Sequence, residues 1–271
     1  MILRVVAIAL NTFREAIRNK ILYILLLFAL ALIASALALG QMSLHEELRV
    51  TRDLGLGGIA LFGVLIAIFV GVNLVYKELD RKTVFSLIPK PIRRYEFILG
   101  KFGGMVLTLA VQVAIMSAVL FAVLLLQCME LDKAVADVIG GVLFRAILLL
   151  FAEVVVITAV AVLFSTFSSP FLSGAFTLGM FIVGRFMPEL REVISKLHNP
   201  GLRGTLWALT RLFPDLNLFY VSGSMVDGQY VSVHGDYVDW GYVATASGYG
   251  ICYAACALGL SVLLFSRRDF V

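Results

Sequence analysis

The sequence predicts an all-α polytopic membrane protein: about six transmembrane helices, an N-terminal amphipathic interfacial helix, and a small outer cap between spans five and six. Three observations predict it. The 271-residue chain is 61% hydrophobic and only 15% charged, with a mean hydropathy of +0.99, whereas a soluble globular chain is about half apolar and about a quarter charged. The apolar residues gather into runs of about 20 residues, the length at which a helix crosses the hydrocarbon, and too long for a membrane β-strand. The lysines and arginines gather between and beyond those runs, chiefly on one side. A soluble enzyme, an ordinary secreted domain and a disordered chain are excluded. The net charge of +4 and the pI near 9.0 read as basic cytoplasmic loops, not as a nucleic-acid surface.

Residues 1–271 read as a single membrane domain. In residues 1–20, Val5, Ala9, Phe13 and Ile17 repeat at helical spacing, with Arg4, Asn11, Arg14 and Arg18 on the other side. That is a basic amphipathic helix for an anionic membrane face. The first span is Ile21–Gly40. Ala34, Ser35, Ala36 and Ala38 mimic a cleavage site, but the run is long enough to span and follows a structured segment, so it reads as an uncleaved anchor. The second span is Gly55–Tyr76, the third Phe102–Gln127, the fourth Val142–Phe164 and the last Tyr242–Phe265. The fifth, Phe171–Arg185, is short, holds Gly174, Gly179 and Gly184, and lies between Pro170 and Pro188. For it a complete span and a re-entrant one both stay open.

Orientation follows the basic residues. The N-terminus, the segment after span two (Lys77, Arg81, Lys82, Lys90, Arg93, Arg94, Lys101) and the C-terminal Arg267-Arg268 share the cytoplasmic side. Residues 186–240 then fall outside, despite Arg191, Lys196, Arg203 and Arg211, because long segments translocate with less regard to charge. There, Pro188–Leu197 and Leu202–Leu212 have helical patterns, separated by Asn199-Pro200-Gly201. Asp227-Gly228 is a turn, and Tyr230–Val238 alternates around His234-Gly235-Asp236 as a small hairpin.

No catalytic constellation emerges. His45, His198 and His234 are far apart, and neither H-E-x-x-H nor G-x-S-x-G occurs. Gly100-Lys101 has Tyr95 and Phe102 where a phosphate-binding loop needs Gly and Ser or Thr, so ATP is not bound by that motif. An intramembrane enzyme lacks a paired nucleophile and base. No metal site is read: Cys252 and Cys256 join Gly248, Ala255 and Gly259 in a small-residue packing stripe, and Cys128 implies no disulfide framework.

Polar residues inside the spans are few. Glu153 lies near the middle of span four, with Arg145 two turns away toward the outer end; Asn73 and Gln112 lie in spans two and three. A polar pathway and a structural hydrogen bond between helices both stay open for Glu153, whereas Asn73 and Gln112 read as structural. An ATPase-independent channel or proton-coupled carrier would use Glu153 and Arg145. Gly100 and Gly104 permit close helix approach where span three begins.

The segment from Lys77 to Gly104 is dense in charge, yet carries Val84, Phe85, Leu87, Ile88, Ile92, Phe97, Ile98 and Leu99. Such a segment docks on the membrane face or in a partner's groove. Pro89 and Pro91 break it into two short helical pieces. Its order of residues resembles the first cytoplasmic loop of ATP-binding-cassette type-2 transporter permeases. Within them it is similar to the branch containing the copper-enzyme (nitrous oxide reductase) maturation and gliding-type permeases. Glu78 and Asp80 supply the family's acidic cluster, Thr83 its threonine, Pro91 and Arg94 follow at family spacing, and Gly100-Lys101 closes the motif; Lys82 stands where the family has glycine. The opening Arg14-Glu15 and Arg18-Asn19, the outer Pro214-Asp215-Leu216 and the terminal Phe265-Ser266-Arg267-Arg268-Asp269-Phe270 extend the resemblance over the whole chain.

The resemblance implies a permease of exporter or maturation type in a prokaryotic inner membrane. It implies pairing with a second copy of itself and with two copies of a separate ATPase subunit, which binds the ATP and magnesium. This chain itself binds no cofactor. In the coupling loop, 77–101, Glu78, Asp80, Arg81 and Arg94 would supply charge pairs to the ATPase, and Phe85, Leu87 and Ile88 apolar anchors. Thr83, Pro91, Gly100 and Lys101 would complete that contact, with Ser165–Pro170 a second, weaker one. The partners are then the lipid bilayer and these proteins, with no nucleic acid.

Overall fold

The computed structural model describes residues 2–41, 47–80, 93–131, 140–197, 199–220, 224–226, 229–231 and 239–267. Among them the chain is all-helical apart from one small hairpin. Helix α1 is Ile2–Ile17, α2 Lys20–Gln41, α3 Glu47–Asp80, α4 Arg94–Glu130 and α5 Gly141–Ser165. Then come α6 Pro170–Arg185, α7 Met187–Ser195, α8 Pro200–Thr210, a 3-10 turn Leu216–Phe219, strands β1 Ser224–Val226 and β2 Gln229–Val231, and α9 Trp240–Arg267. Five of these helices (α2, α3, α4, α5, α9) are long and apolar enough to cross a membrane, and α6 with α7, bent by 63° at Phe186, brings the number to six if the pair is one span, as a broken span or a re-entrant loop. A 16-residue α6 rises only about 24 Å, short of the roughly 30 Å of hydrocarbon.

Helix α3 starts at Glu47, eight residues before the apolar run that announces it. Its first two turns hold Glu47, Arg49, Arg52 and Asp53, so composition hides them, yet Thr51 and Arg52 are buried. The Thr51 hydroxyl donates to the carbonyl of Ala36 on α2 (3.2 Å). From there α3 is the spine of the bundle, packing on α2, α4, α5 and α6. Small residues let it do so. A Cβ at Gly63 would lie 2.9 Å from Val154, and one at Gly71 2.6 Å from the Cβ of Ala161, so α5 runs against α3 along a glycine track. Helix α5 is covered by α3, α4, α6 and α9 and carries the most buried face of the chain, including Val154, Val156, Ile157, Ala159 and Val160.

Helix α1 uses one face against α4. Thr12 and Ala16 are buried there while Leu3, Val6 and Leu10 point outward with Arg14 and Arg18, so the outward face carries apolar and basic residues together. At the seam, Gly100 meets Ile8 and the backbone of Val5, and Gly104 meets Thr12 and the carbonyl of Ala9. The close approach expected at Gly100 and Gly104 is therefore present, and its partner is α1.

On α9, Cys252 and Cys256 are exposed, and among the described residues nothing lies within 4 Å of a Cβ placed at Gly248 or Gly259. Small residues permit close packing but do not supply the neighbour. A small hairpin pairs Ser224 with Val231 and Val226 with Gln229; Asp227-Gly228 and residues 232–238, and with them the expected turn and the alternation around His234, lie outside the described residues.

The α1–α4 seam yields a test. Gly104→Ala places a methyl into the backbone of α1 and should destabilise the protein by about 1–3 kcal/mol, read as a lower melting temperature in detergent and faster proteolysis of α1. Gly103→Ala, whose added Cβ meets only Ala9 at 3.7 Å, should leave melting unchanged or raise it. Equal melting of both variants would show that α1 is not held there.

Candidate functional site

Three places bear on function. The first is the segment between α3 and α4. Residues 81–92 lie outside the described residues, and with them Arg81, Thr83, Phe85, Leu87, Ile88 and Pro91. Glu78 and Asp80 lie in the last turn of α3, Asn73 earlier in the same helix, and Arg94 in the first turn of α4. Helix α4 starts cleanly: the Glu96 carboxylate accepts a hydrogen bond from the Arg93 backbone N–H (3.1 Å) and so satisfies one of the free donors at the helix start. Gly100 and Lys101 are not on an open loop. They lie two turns inside α4, where Gly100 packs on α1 and Lys101 is only 2% exposed. Its ammonium lies 5.5 Å from the ring of Phe97, which stacks on Phe265 of α9. The Gly-Lys pair thus joins α1, α4 and the end of α9. The turn at Ser165–Pro170 is compact, with the Ser168 hydroxyl donating to the Phe164 carbonyl (2.8 Å) and Pro170 at the first turn of α6.

The second place is the polar group at mid-membrane depth. Glu153, thirteenth of the 25 residues of α5, has no exposed surface. Its partner is not Arg145. Eight residues along one helix separate the two by about 12 Å of rise, three times the reach of an ion pair. Oε1 of Glu153 instead accepts from Nη1 of Arg185 at 2.9 Å, at the last residue of α6. The Arg185 guanidinium lies flat on Tyr220, 3.6 Å from the ring centroid, a stacking that suits a weakly hydrated planar cation. Oε2 of Glu153 has no hydrogen-bond partner among the described residues, nor has Oε1 of Gln112, which is buried on α4. Arg145 instead stacks on Trp240 at the start of α9, 5.2 Å from its ring.

The third place is the return segment Leu212–Tyr220. Leu216 and Phe219 have no exposed surface, so this irregular backbone enters the bundle, where its polar groups need partners from the protein. Three tyrosines on one face of α9 supply them. Tyr253 Oη donates to the Leu212 carbonyl (3.0 Å), Tyr242 Oη donates to the Leu218 carbonyl (2.7 Å), and Tyr249 Oη accepts from the Asp215 N–H (3.0 Å). Asp215 also pairs with Arg191 of α7 (2.9 Å). Gly184 makes room: a Cβ there would meet the Pro214 carbonyl and Leu216. Reading the sequence alone finds Pro214-Asp215-Leu216 but not Arg185, Tyr220 or the tyrosines. Arg185 looks like the boundary of a span, and the 242, 249, 253 spacing is the only sign of a clamp.

The family model described as ABC-2 family transporter protein matches residues 6–270. No curated protein matches the chain.

The buried pair is open to direct test. Arg185→Ala leaves Glu153 without its cation and should destabilise the protein by about 3–5 kcal/mol, whereas the double change Glu153→Met with Arg185→Met should recover most of the loss. Melting of purified protein in detergent measures both. Wild-type melting of Arg185→Ala would show that the pair contributes nothing.

Proposed function

The chain belongs to the ABC-2 transporter family, and from that premise we propose that it is the permease subunit of an ATP-driven exporter or maturation transporter. It works as a pair with a second copy of itself and with two copies of a separate ATPase subunit that binds ATP and magnesium. The family match over residues 6–270 carries the reading. Two features of the chain support it. Helices α3 and α4 are 34 and 37 residues long, about 50 and 55 Å at 1.5 Å per residue, so both outrun the hydrocarbon. Both converge on the segment whose charge and apolar residues suit a protein groove.

In this proposal the ATPase holds Glu78, Asp80, Arg81 and Arg94 by charge and Phe85, Leu87 and Ile88 by apolar contact. Nucleotide-driven closure of the ATPases moves the ends of α3 and α4, and the bundle alternates between openings to either side. Gly100 acts inside the chain, tying α4 to α1, while Lys101 is buried beside Phe97, so that α1 moves with the coupling segment. Both termini face the cytoplasm of a prokaryotic cell.

The experiment is a mild-detergent pull-down from native membranes with mass spectrometry of what co-purifies. The expected result is a stoichiometric soluble ATPase that is lost, or reduced about tenfold (about 1.4 kcal/mol), in Arg94→Glu and in the Phe85→Ala/Leu87→Ala double variant, with melting of the permease unchanged. Recovery of the chain without any nucleotide-binding partner, or full retention of the ATPase by both variants, would overturn the proposal.

A further inference from the structure

The seam between α3 and α6 is closed at two levels and open between them. A Cβ at Gly174 of α6 would lie 3.9 Å from Ile68 of α3, so the helices meet there. Eleven residues along each helix from that contact, about 16 Å at 1.5 Å per residue, stand Arg185 on α6 and Gly57 on α3. Tyr220 joins these two. Its hydroxyl would lie 3.8 Å from a Cβ at Gly57, and its ring carries the Arg185 guanidinium at 3.6 Å. The equal spacing means that the helices run antiparallel with matching stripes along the seam: Gly57, Leu61 and Ile68 on one, Gly174, Leu178 and Arg185 on the other. Between the two closures Leu61 is 47% exposed and Leu178 42%. The seam is therefore apolar, with a cation at one end.

Glu153 does not exhaust that cation. A guanidinium carries five N–H donors in one plane. Nη1 donates to Glu153, and Tyr220 covers a face of the plane and not its edge. Glu153 has no exposed surface, whereas the Arg185 side chain keeps 19%. An approaching group therefore meets donors and positive charge, not the carboxylate. We propose that the α3–α6 seam binds an acyl-chain amphiphile with an oxyanion head. Its chain lies along Leu61 and Leu178, and its carboxylate or phosphate sits on the open edge of Arg185. The planar fork suits an anion with two oxygens in reach, and Glu153 fixes the orientation of that fork. A seam about 16 Å long with apolar walls suits an extended chain better than a compact polar solute. The site goes beyond the transporter reading and needs no ATPase, so it stands or falls separately from ATPase binding.

Three photoreactive probes of one chain length test it: a diazirine-bearing fatty acid, the matching alkyl phosphate and the matching fatty alcohol. Each is added to the full-length protein in non-ionic detergent, and mass spectrometry locates the label. At least one of the two anions should label α3 around Leu61 and α6 around Leu178, with the alcohol about tenfold weaker. The stronger anion identifies the head. The Glu153→Met/Arg185→Met pair should lose the preference for an anion. Leu61→Trp, which fills the seam and leaves the charges in place, should lose the label itself. Equal labelling by alcohol and anions in the wild type would overturn the proposal in favour of an ordinary lipid-facing surface. Anion label spread over the exposed faces of α2 and α9 and unmoved by either variant would overturn it in favour of simple partitioning. A seam that none of the probes labels would overturn it in favour of a protein cover, such as a second copy of the chain. If the Met pair does not fold, Leu61→Trp and the comparison of head groups on the wild type decide the matter.

Discussion

A carboxylate with no exposed surface at the centre of a membrane helix needs a cation delivered to its own depth. Glu153 imposes that requirement, and Arg185 meets it because α6 stops early. A full-length span would carry its last residue to the interface and past Glu153. A 16-residue helix ends while still at membrane depth, and there Arg185 pairs forward to Glu153 and stacks on Tyr220. The break at Phe186, the lateral course of α7 and the inward course of the return segment all follow from that early stop. Tyr220 can cover the guanidinium only if the chain comes back into the bundle after α8.

Coming back has its own requirement. Backbone that is not helical leaves donors and acceptors open, and at membrane depth water does not satisfy them. The three tyrosines of α9 answer that need with side chains long enough to reach from one helix across to the segment, and with rings that add apolar surface. Tyr249 packs near Phe219, ring centroids 6.4 Å apart, so the residue that accepts from the Asp215 N–H also helps seal the core. Gly184 and Gly250 make the space. A side chain at Gly250 would press on Phe219 and Val156. The motif Pro214-Asp215-Leu216 is thus a structural element: proline ends the helical pattern, aspartate ties to Arg191 and leucine fills the core.

What was legible in the sequence was whatever depends on composition along the chain. Apolar runs marked α2, α4, α5 and α9, and the two short helices α7 and α8 announced themselves by Pro188, Pro200 and helical spacing. The first turns of α3 stayed hidden because Glu47, Arg49, Arg52 and Asp53 look like a loop until Thr51 and Arg52 are seen to be buried. The partner of Glu153 stayed hidden for a different reason. Periodicity relates residues of one helix, so it suggests Arg145, whereas an ion pair is decided by three-dimensional reach, which Arg185 has from another helix. The same limit applies to glycine and cysteine stripes. Gly100 and Gly104 meet α1, while Gly248 and Gly259 meet nothing among the described residues, and one-dimensional spacing treats the two alike.

The contrast between those stripes bears on how motion would travel. Helix α3 is held along its length by glycine-track contact with α5 and by packing with α2, α4 and α6. Close-packed interfaces of this kind deform little and transmit displacement. Helix α4 is pinned to α1 through Gly100 and Gly104 near its start, and to the end of α9 through Phe97 on Phe265. A force applied between Asp80 and Arg94 therefore acts on two long helices at once, and through the seam on α1 and α9 as well. The elements that such a force reaches least directly are α7 and α8, which touch the bundle through α6 and the 3-10 turn. Between the α3–α4 end and that pair of short helices stands the Glu153–Arg185–Tyr220 cluster, the place where α5, α6 and the return segment share one set of charges. Relative movement of α5 and α6 must either carry all three together or strip Glu153 of its cation, and the large cost of an unpaired buried charge favours moving them as a unit.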